Sequence, residues 1–335
     1  REGWNHYFNF EGKPVQDLYL NEGLIMGYRY YGPNGRITGE GSFEDGNGSM
    51  EFKYSNGQLA ASRKIEKGLY NGEVVEFYPD GSKKLEGNYL HGRAYGKWTW
   101  YHPNGKVETV GEHLYGERSG VWRWYDEDGS LINETNYLEG LSHGRSPRYD
   151  EDGNLTRIYN YHYGDYHGPQ YFFAEDSLVE LVRYYSFGTL IGYSYLGKDG
   201  QLKEMIPVTY GDGEVKAFFP NGKPSRTFTY KDGEFEGPYK IFYPNGQVRE
   251  DFTVNGGRIT GMEKHYYPDG TLKKTIPQLM DEYHGEVVSY HPNGKVERKE
   301  HFVHGEKNGY EEVYDEDGKL VQKILWFNDI EYEME

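Results

Sequence analysis

The chain is 335 residues long and carries 46 Gly, 35 Tyr, 16 Phe and 6 Trp, a bias toward β-structure because aromatic rings suit a pleated, half-buried surface. Its 37 basic and 54 acidic residues leave a formal charge of −17, which excludes a phosphate-tracking nucleic-acid binder and disfavours an anionic membrane surface. There is no Cys, so disulfides, thiolate metal centres and a cysteine nucleophile are excluded.

From the N-terminus onward the sequence repeats itself. A turn signature occurs as YGPNG at 31–35, FYPDG at 77–81, YHPNG at 101–105, FFPNG at 218–222, FYPNG at 242–246, YYPDG at 266–270 and YHPNG at 290–294. YDEDG fills the same slot at 125–129, 149–153 and 314–318. The closing residue runs Gly12, Gly35, Gly57, Gly81, Gly105, Gly129, Gly153, Ser177, Gly200, Gly222, Gly246, Gly270, Gly294 and Gly318, fourteen units mostly 24 residues apart. Pro presets φ for the first central position, Asn or Asp tolerates the second, and Gly takes the left-handed position, so each signature closes a hairpin. A second glycine lies eight or nine residues before each marker, and segments such as Gly92 to Gly96 read as a Gly-x-x-x-Gly loop closing the next hairpin. The loop contracts to Gly46-Asn47-Gly48 and Gly211-Asp212-Gly213 in two short units. Strand-like segments rich in Tyr, Trp, Val and Thr fill the intervals, and the simplest architecture is a continuous antiparallel meander.

The marker intervals 12→35→57→81 recur as 177→200→222→246, a shift of 165 residues. Two halves of one array follow: residues 1–165 with seven hairpin repeats, and 166–335 with seven more plus a terminal strand. A similar bend is expected in each. Along the strands, one column lies four residues before the marker (Phe8, Tyr31, Phe77, Tyr101, Tyr125, Tyr149) and another two residues after it (Ile37, Leu59, Val107, Leu131). These columns are expected to pack as the hydrophobic spine. Trp98, Trp100, Trp122 and Trp124 have the opposite parity and are expected on the other face as an exposed aromatic patch, a protein-contact candidate. Trp326 and Phe327, in the apolar segment Ile324 to Phe327, are candidates on an unpaired terminal strand able to accept a partner's strand.

The string Gly-x-Trp-x-Trp-Tyr-x-Pro-Asn-Gly at Gly96 to Gly105, with the aliphatic and glycine positions that follow, resembles MORN repeats, and most closely the bacterial variant grouped with YwqK-like antitoxins. The likeness extends over residues 3 to 326 and departs from the pattern at Ser177, at Asp281 where the loop Gly is expected, and in the two short units. It implies an all-β fold, an elongated twisted antiparallel sheet of about fourteen stacked β-hairpin repeats, serving as a binding platform.

Chemistry inside the repeat is sparse. The DEDG strings invite calcium, but they occupy turn slots and lack an EF-hand continuation, so turn chemistry is the better reading. His91, His143, His167, His284 and His304 each lie beside a loop glycine without carboxylate or Cys partners at ligand spacing, and solvent-exposed loop residues are expected rather than a metal row. Neither a nucleophile elbow, a His-Glu-x-x-His, a P-loop nor a dinucleotide fingerprint is present. The expectation is therefore no enzyme, no catalytic residue, no metal and no cofactor. No apolar run reaches the ~18 residues that would span a bilayer as a helix. The chain opens at Arg1, so an initiator, a signal peptide or a longer N-terminal segment is expected to precede it.

These readings converge on a non-enzymatic scaffold that binds protein partners, including a membrane-associated complex, as a subunit of a bacterial cell-envelope assembly. The envelope or periplasm is preferred over the cytoplasm. An antitoxin or immunity protein that masks a basic toxin is the alternative. Carbohydrate or peptidoglycan binding through aromatic rows ranks third.

Overall fold

The structure, a computed structural model, describes residues 2–334 apart from Phe10, Glu11, Pro33, Ser55, Glu175, Asp176, Tyr210 and Gly211. The readings that involve Pro33 and Gly211 thus lie outside the described residues. The fold is all-β, in antiparallel sheets whose strands follow one another in chain order, not closed into a barrel. The chain divides into two compact units, Arg1–Leu155 with Asn160–Asp165, and Thr156–Tyr159 with Tyr166–Glu335.

Two kinds of turn alternate. At the Pro-Asn-Gly signatures, His102 N donates to Lys106 O (2.8 Å) and Gly105 N to His102 O (2.9 Å), with Gly105 at φ 84°. Asn104 Oδ1 accepts from Lys106 N (3.0 Å), holding the turn from inside. Ser177, the non-glycine marker, adopts φ 58° in the same role. The other connection is shorter than the predicted Gly-x-x-x-Gly loop. His91-Gly92 (φ 50° and 79°) and Tyr115-Gly116 (φ 54° and 93°) are two-residue turns with both φ positive, and the next strand starts at once with Arg93–Tyr101 and Glu117–Tyr125. Such turns match the right-handed twist of the flanking strands. Gly96, at φ 70°, lies inside Arg93–Tyr101, where the register with Lys83–Leu90 jumps. It marks a bulge, not a loop end.

The predicted columns do meet. Tyr101 is opposite Val107, Tyr125 opposite Leu131 and Tyr31 opposite Ile37. They are not the core, however, being half-buried or, like Ile37 at 47% and Phe8 at 58%, exposed. The buried column lies two positions beyond the second glycine of the unit in Met50, Val74, Trp98, Trp122, Val215, Tyr239 and Val287, and one position beyond it in Tyr28 and Tyr193, which follow Gly27 and Gly192. A bulge between Trp124 and Tyr125, repeated in most units, uncouples the turn-end residues from simple two-residue alternation and leaves them at the sheet margin.

Each Trp in this column lies over a glycine of the preceding strand. A Cβ on Gly87 would be 2.3 Å from Trp98 Cδ2, and one on Gly111 would be 2.2 Å from Trp122 Cδ2. Glycine is therefore required there for the close approach of a ring, not for its backbone freedom. Burying one such indole removes roughly 200 Å² from water, on the order of 5 kcal/mol before ordering costs.

The meander is interrupted at corresponding places in the two units. In the first, the strands Gly3–Phe8, Pro14–Asn21, Leu24–Tyr31 and Ile37–Ser42 form one sheet, and a new one begins at Gly48–Lys53. In the second, the run through Thr189–Ser194 and Ile206–Pro207 ends, and a new sheet begins at Gly213–Phe218. Buried Tyr28 accepts a hydrogen bond from Glu51 N through its hydroxyl (3.2 Å), and Tyr193, 165 positions later, accepts one from Lys216 N (3.5 Å). Phe43 N donates to Met26 O and Val208 N to Ile191 O by the same offset. A tyrosine hydroxyl thus supplies the new edge strand with a partner that the ladder lacks.

Gly111→Ala is expected to destabilise the protein by about 1–3 kcal/mol through overpacking against Trp122. Urea denaturation of the variant beside the wild type measures it.

Candidate functional site

The four tryptophans proposed as an exposed patch form one row on the core face. Neighbouring ring centroids are 5.7 Å (Trp98–Trp100), 5.6 Å (Trp100–Trp122) and 6.1 Å (Trp122–Trp124) apart. Trp98 and Trp122 are buried, at 5% and 1% exposure, and their indole N–H groups donate to Asn88 O (3.2 Å) and Glu112 O (3.1 Å). This corrects the expected exposure of those two residues: the bulge places their parity on the packed face. Trp100 and Trp124 stay half-buried, and the row continues to Tyr137, 6.5 Å from Trp124. The Arg118 guanidinium lies 4.6 Å from the Trp122 ring, 5.8 Å from Trp124 and 5.3 Å from Tyr137, and it donates to the Tyr137 hydroxyl (3.1 Å). The accessible part of the row is an amphipathic strip, indole and phenol edges topped by a cation, suited to a protein contact.

His113 sits edge-on between Trp98 (5.6 Å) and Trp122 (5.0 Å). Burial there pushes the imidazole below its ordinary value of 6.5, assisted by the Arg118 charge. Its neutral form is the one that packs.

The terminal strand differs from expectation. Leu320–Phe327 pairs with Gly309–Tyr314 on one side and with Ile330–Met334 on the other, where Leu325 is opposite Glu333 and Phe327 opposite Ile330. The acidic tail supplies the strand that covers this edge, so no backbone of Ile324 to Phe327 waits for a partner. Trp326 is half-buried, with Lys307 Nζ 4.9 Å from its ring, and Phe327 is 54% exposed.

The DEDG strings close their own turns. Asp126 Oδ1 accepts from Ser130 N (2.8 Å), Asp150 Oδ1 from Asn154 N (2.7 Å) and Asp315 Oδ1 from Lys319 N (2.8 Å). Of the loop histidines, His143 stacks near His162 (5.2 Å), His284 near His304 (5.0 Å) and His167 near Phe187 (4.5 Å). Ligand atoms of Glu250, Glu263 and His265 lie within 4.8 Å of one another. Buried Glu263 is served there by His265 Nε2 (2.7 Å) and Gln278 Nε2 (2.8 Å). Burial raises its carboxyl, but those two partners outweigh it and hold the group below its ordinary 4.5.

A charged cluster in the second unit was not anticipated. Glu180, wholly buried, binds Arg226 through Nε (2.9 Å) and Nη2 (2.8 Å), and Arg249 through Nη1 (2.7 Å). Ser225 Oγ donates to the Glu180 carbonyl (2.7 Å). Burial opposes the charge of Arg226, but Tyr239 and Glu180 outweigh it and raise its pKa. The cluster ties the strand Val179–Ser186 of one sheet to Pro224–Lys231 of the other within this unit. The signal in the sequence is the 165-residue shift, which sets Glu180 against Val15 and Arg226 against Ala61.

Repeated hairpins with turn glycines mostly 24 residues apart and a buried column that recurs from unit to unit define a β-hairpin repeat protein. The MORN repeat variant family matches at residues 70–91, 94–113, 118–139, 211–232, 235–255, 259–277, 283–304 and 307–328, and the chain belongs to that family. No curated protein matches the chain. Among solved structures, a Photorhabdus luminescens Tc holotoxin pore is 12% identical over 97% of this chain and 22% of its own, with a TM-score of 0.15. The TcdB2-TccC3-Cdc42 crystal structure gives 12%, 96%, 22% and 0.15 in the same order. The chain thus spans about a fifth of the length of the solved chains it matches. No helix among the described residues is long and apolar enough to cross a membrane.

Two outcomes follow. Glu180→Gln leaves the buried Arg226 guanidinium without its anion and Arg249 with Glu250 alone, and should cost about 3–5 kcal/mol, read by chemical denaturation. Because the folded-state pKa of His113 is lowered, the stability it carries is complete above its ordinary 6.5 and is lost as the pH falls through the lowered value. The drop in melting temperature between neutral and mildly acidic buffer should therefore be smaller in His113→Gln than in the wild type.

Proposed function

We propose that this chain is a non-enzymatic repeat scaffold that mediates protein–protein interaction as a subunit of a bacterial cell-envelope assembly. The observation that carries this reading is the accessible strip of Trp100, Trp124 and Tyr137 with Arg118 across it, on a lattice of repeated hairpins. Aromatic and Arg anchors on a rigid surface are the residue types that dominate protein contacts. The repeat presents such side chains at a constant strand spacing, which lets a long partner segment engage several units at once.

A second reading, an antitoxin of the YwqK-like branch, draws on the charge of −17, which complements a basic toxin surface and would speed its capture. The two are separated by cross-linked purification from native cells with the compartment recorded. A stoichiometric envelope complex supports the scaffold; a small basic cytosolic partner supports the antitoxin. In either case, Trp124→Ala combined with Arg118→Ala is expected to lower partner recovery about tenfold while the protein stays folded by circular dichroism. Full recovery would move the contact away from this strip.

A further inference from the structure

Within the second unit, a cavity of about 370 Å³ is lined on its polar side by Arg157, Arg183, Arg226, Glu250, Glu263 and Asp281. Aromatic rings of Phe172, Phe235, Tyr239 and Phe252 form its apolar walls. Under the 165-residue shift, Arg183, Arg226, Glu250 and Glu263 take the places of Leu18, Ala61, Leu85 and Trp98, each buried in the first unit. Four apolar core positions of one unit are thus charged in the other, at a cost in packing that the fold itself does not require.

The charges around the cavity are not equally satisfied. Arg226 is held by Glu180, and Glu263 by His265 and Gln278. Glu250 lies 3.3 Å from Arg249, and Asp281 Oδ1 accepts from Ile259 N (2.6 Å). Arg183 differs. Its guanidinium carbon is 4.0 Å from the Phe172 ring centre and 5.2 Å from that of Phe235, held between two ring faces. Its Nε is buried with no hydrogen-bond partner, and among the described residues no carboxylate forms an ion pair with it. Arg157, exposed at the rim, donates only to the Tyr159 hydroxyl (3.3 Å) among the hydrogen bonds resolved for it. A planar guanidinium fixed by stacking at the wall of the cavity, with a donor left unpaired, is pre-organised for an oxyanion.

We propose that this cavity is a binding site for a monocarboxylate carried on an aromatic body, its carboxylate on Arg183 with Arg157 at the rim and its ring among Phe235, Tyr239 and Phe252. The carboxylates of Glu250, Glu263 and Asp281 on the same wall repel a second negative charge, so phosphate monoesters are rejected. The site goes beyond the scaffold role and does not rest on it. The shared chemistry occurs both in a free aromatic acid and at a peptide C-terminus ending in Phe.

The test is calorimetric titration of the full chain with 3-phenylpropionate, its amide, phenyl phosphate, and N-acetyl-Ala-Ala-Phe with a free or an amidated C-terminus. Both carboxylates are expected to bind, with the amides and phenyl phosphate at least about tenfold weaker. Tighter binding of the peptide acid identifies a peptide terminus as the occupant; equal or tighter binding of phenylpropionate identifies a free acid. Arg183→Gln should abolish the preference for acid over amide. Arg157→Gln, at an exposed position where folding is not at risk, should weaken the acids several-fold and leave the amides unchanged. Absence of binding by either acid at millimolar concentration, equal binding of acid and amide, or preference for phenyl phosphate would overturn the proposal.

Discussion

The sheets depend on the contact between the side chain two residues beyond each bulge glycine and the strand before it. A ring such as Trp122 finds its cover in the bare backbone of Gly111 and in its neighbours along the row. Larger residues at the glycine would lift the ring off the sheet, and smaller ones at the tryptophan would leave the strand backbone open. Where the column carries no ring, the neighbours change with it: buried Ser146 bonds Thr135 through its hydroxyl (2.8 Å), and Glu263 gathers His265 and Gln278. Packing and hydrogen bonding are thus interchangeable solutions to one geometric demand, that the middle of each strand be dry or satisfied.

A second set of contacts runs along the hairpin ends. Tyr54 donates to Phe77 O (2.7 Å), Tyr78 to Tyr101 O (2.7 Å), and His102 Nε2 lies 2.9 Å from Tyr125 O. Tyr243, Tyr267 and His291 repeat the pattern in the second unit at 2.8, 2.7 and 2.9 Å. Asn104 and Asn293 reach forward in the same way, to Glu127 O and Glu316 O. Where Tyr or His holds that position, the turn is therefore tied to the next one by side chains that also define the turn, which is why one short signature does so much of the folding.

That economy explains what was legible in the sequence. Turn positions followed from Pro-Asn-Gly because φ preferences are local, and Tyr101 opposite Val107 followed from counting residues across a known turn. Which face is buried did not follow, because a bulge beside each Tyr and another at Gly96 defeat strict alternation, so Trp98 and Trp122 are core where an exposed patch was expected. The Gly92 to Gly96 spacing concealed a two-residue turn, since a non-glycine such as His91 at φ 50° carries no obvious mark in the sequence. Pairing of the tail with Leu320–Phe327 was hidden by its acidity. The Glu180 cluster was readable only by comparing the halves position by position, where Val15 and Ala61 stand against a buried acid and a buried base.

Where Asp replaces Tyr or His at the turn, the side chain folds back on its own loop, as Asp126 and Asp150 do. Among the described residues, the bonds of that carboxylate stay within the turn instead of crossing to the following hairpin. A linear array of hairpins behaves as a chain of nearest-neighbour couplings, and its cooperativity is only as strong as the weakest of them. The stretch of the first unit from Tyr54 to His102 carries this tie at every turn, whereas Asp126 and Asp150 spend their side chains on their own loops. The Asp turns accordingly act as punctuation in a uniform repeat, the positions where coupling between successive hairpin ends is weakest and where opening of the array is expected to start.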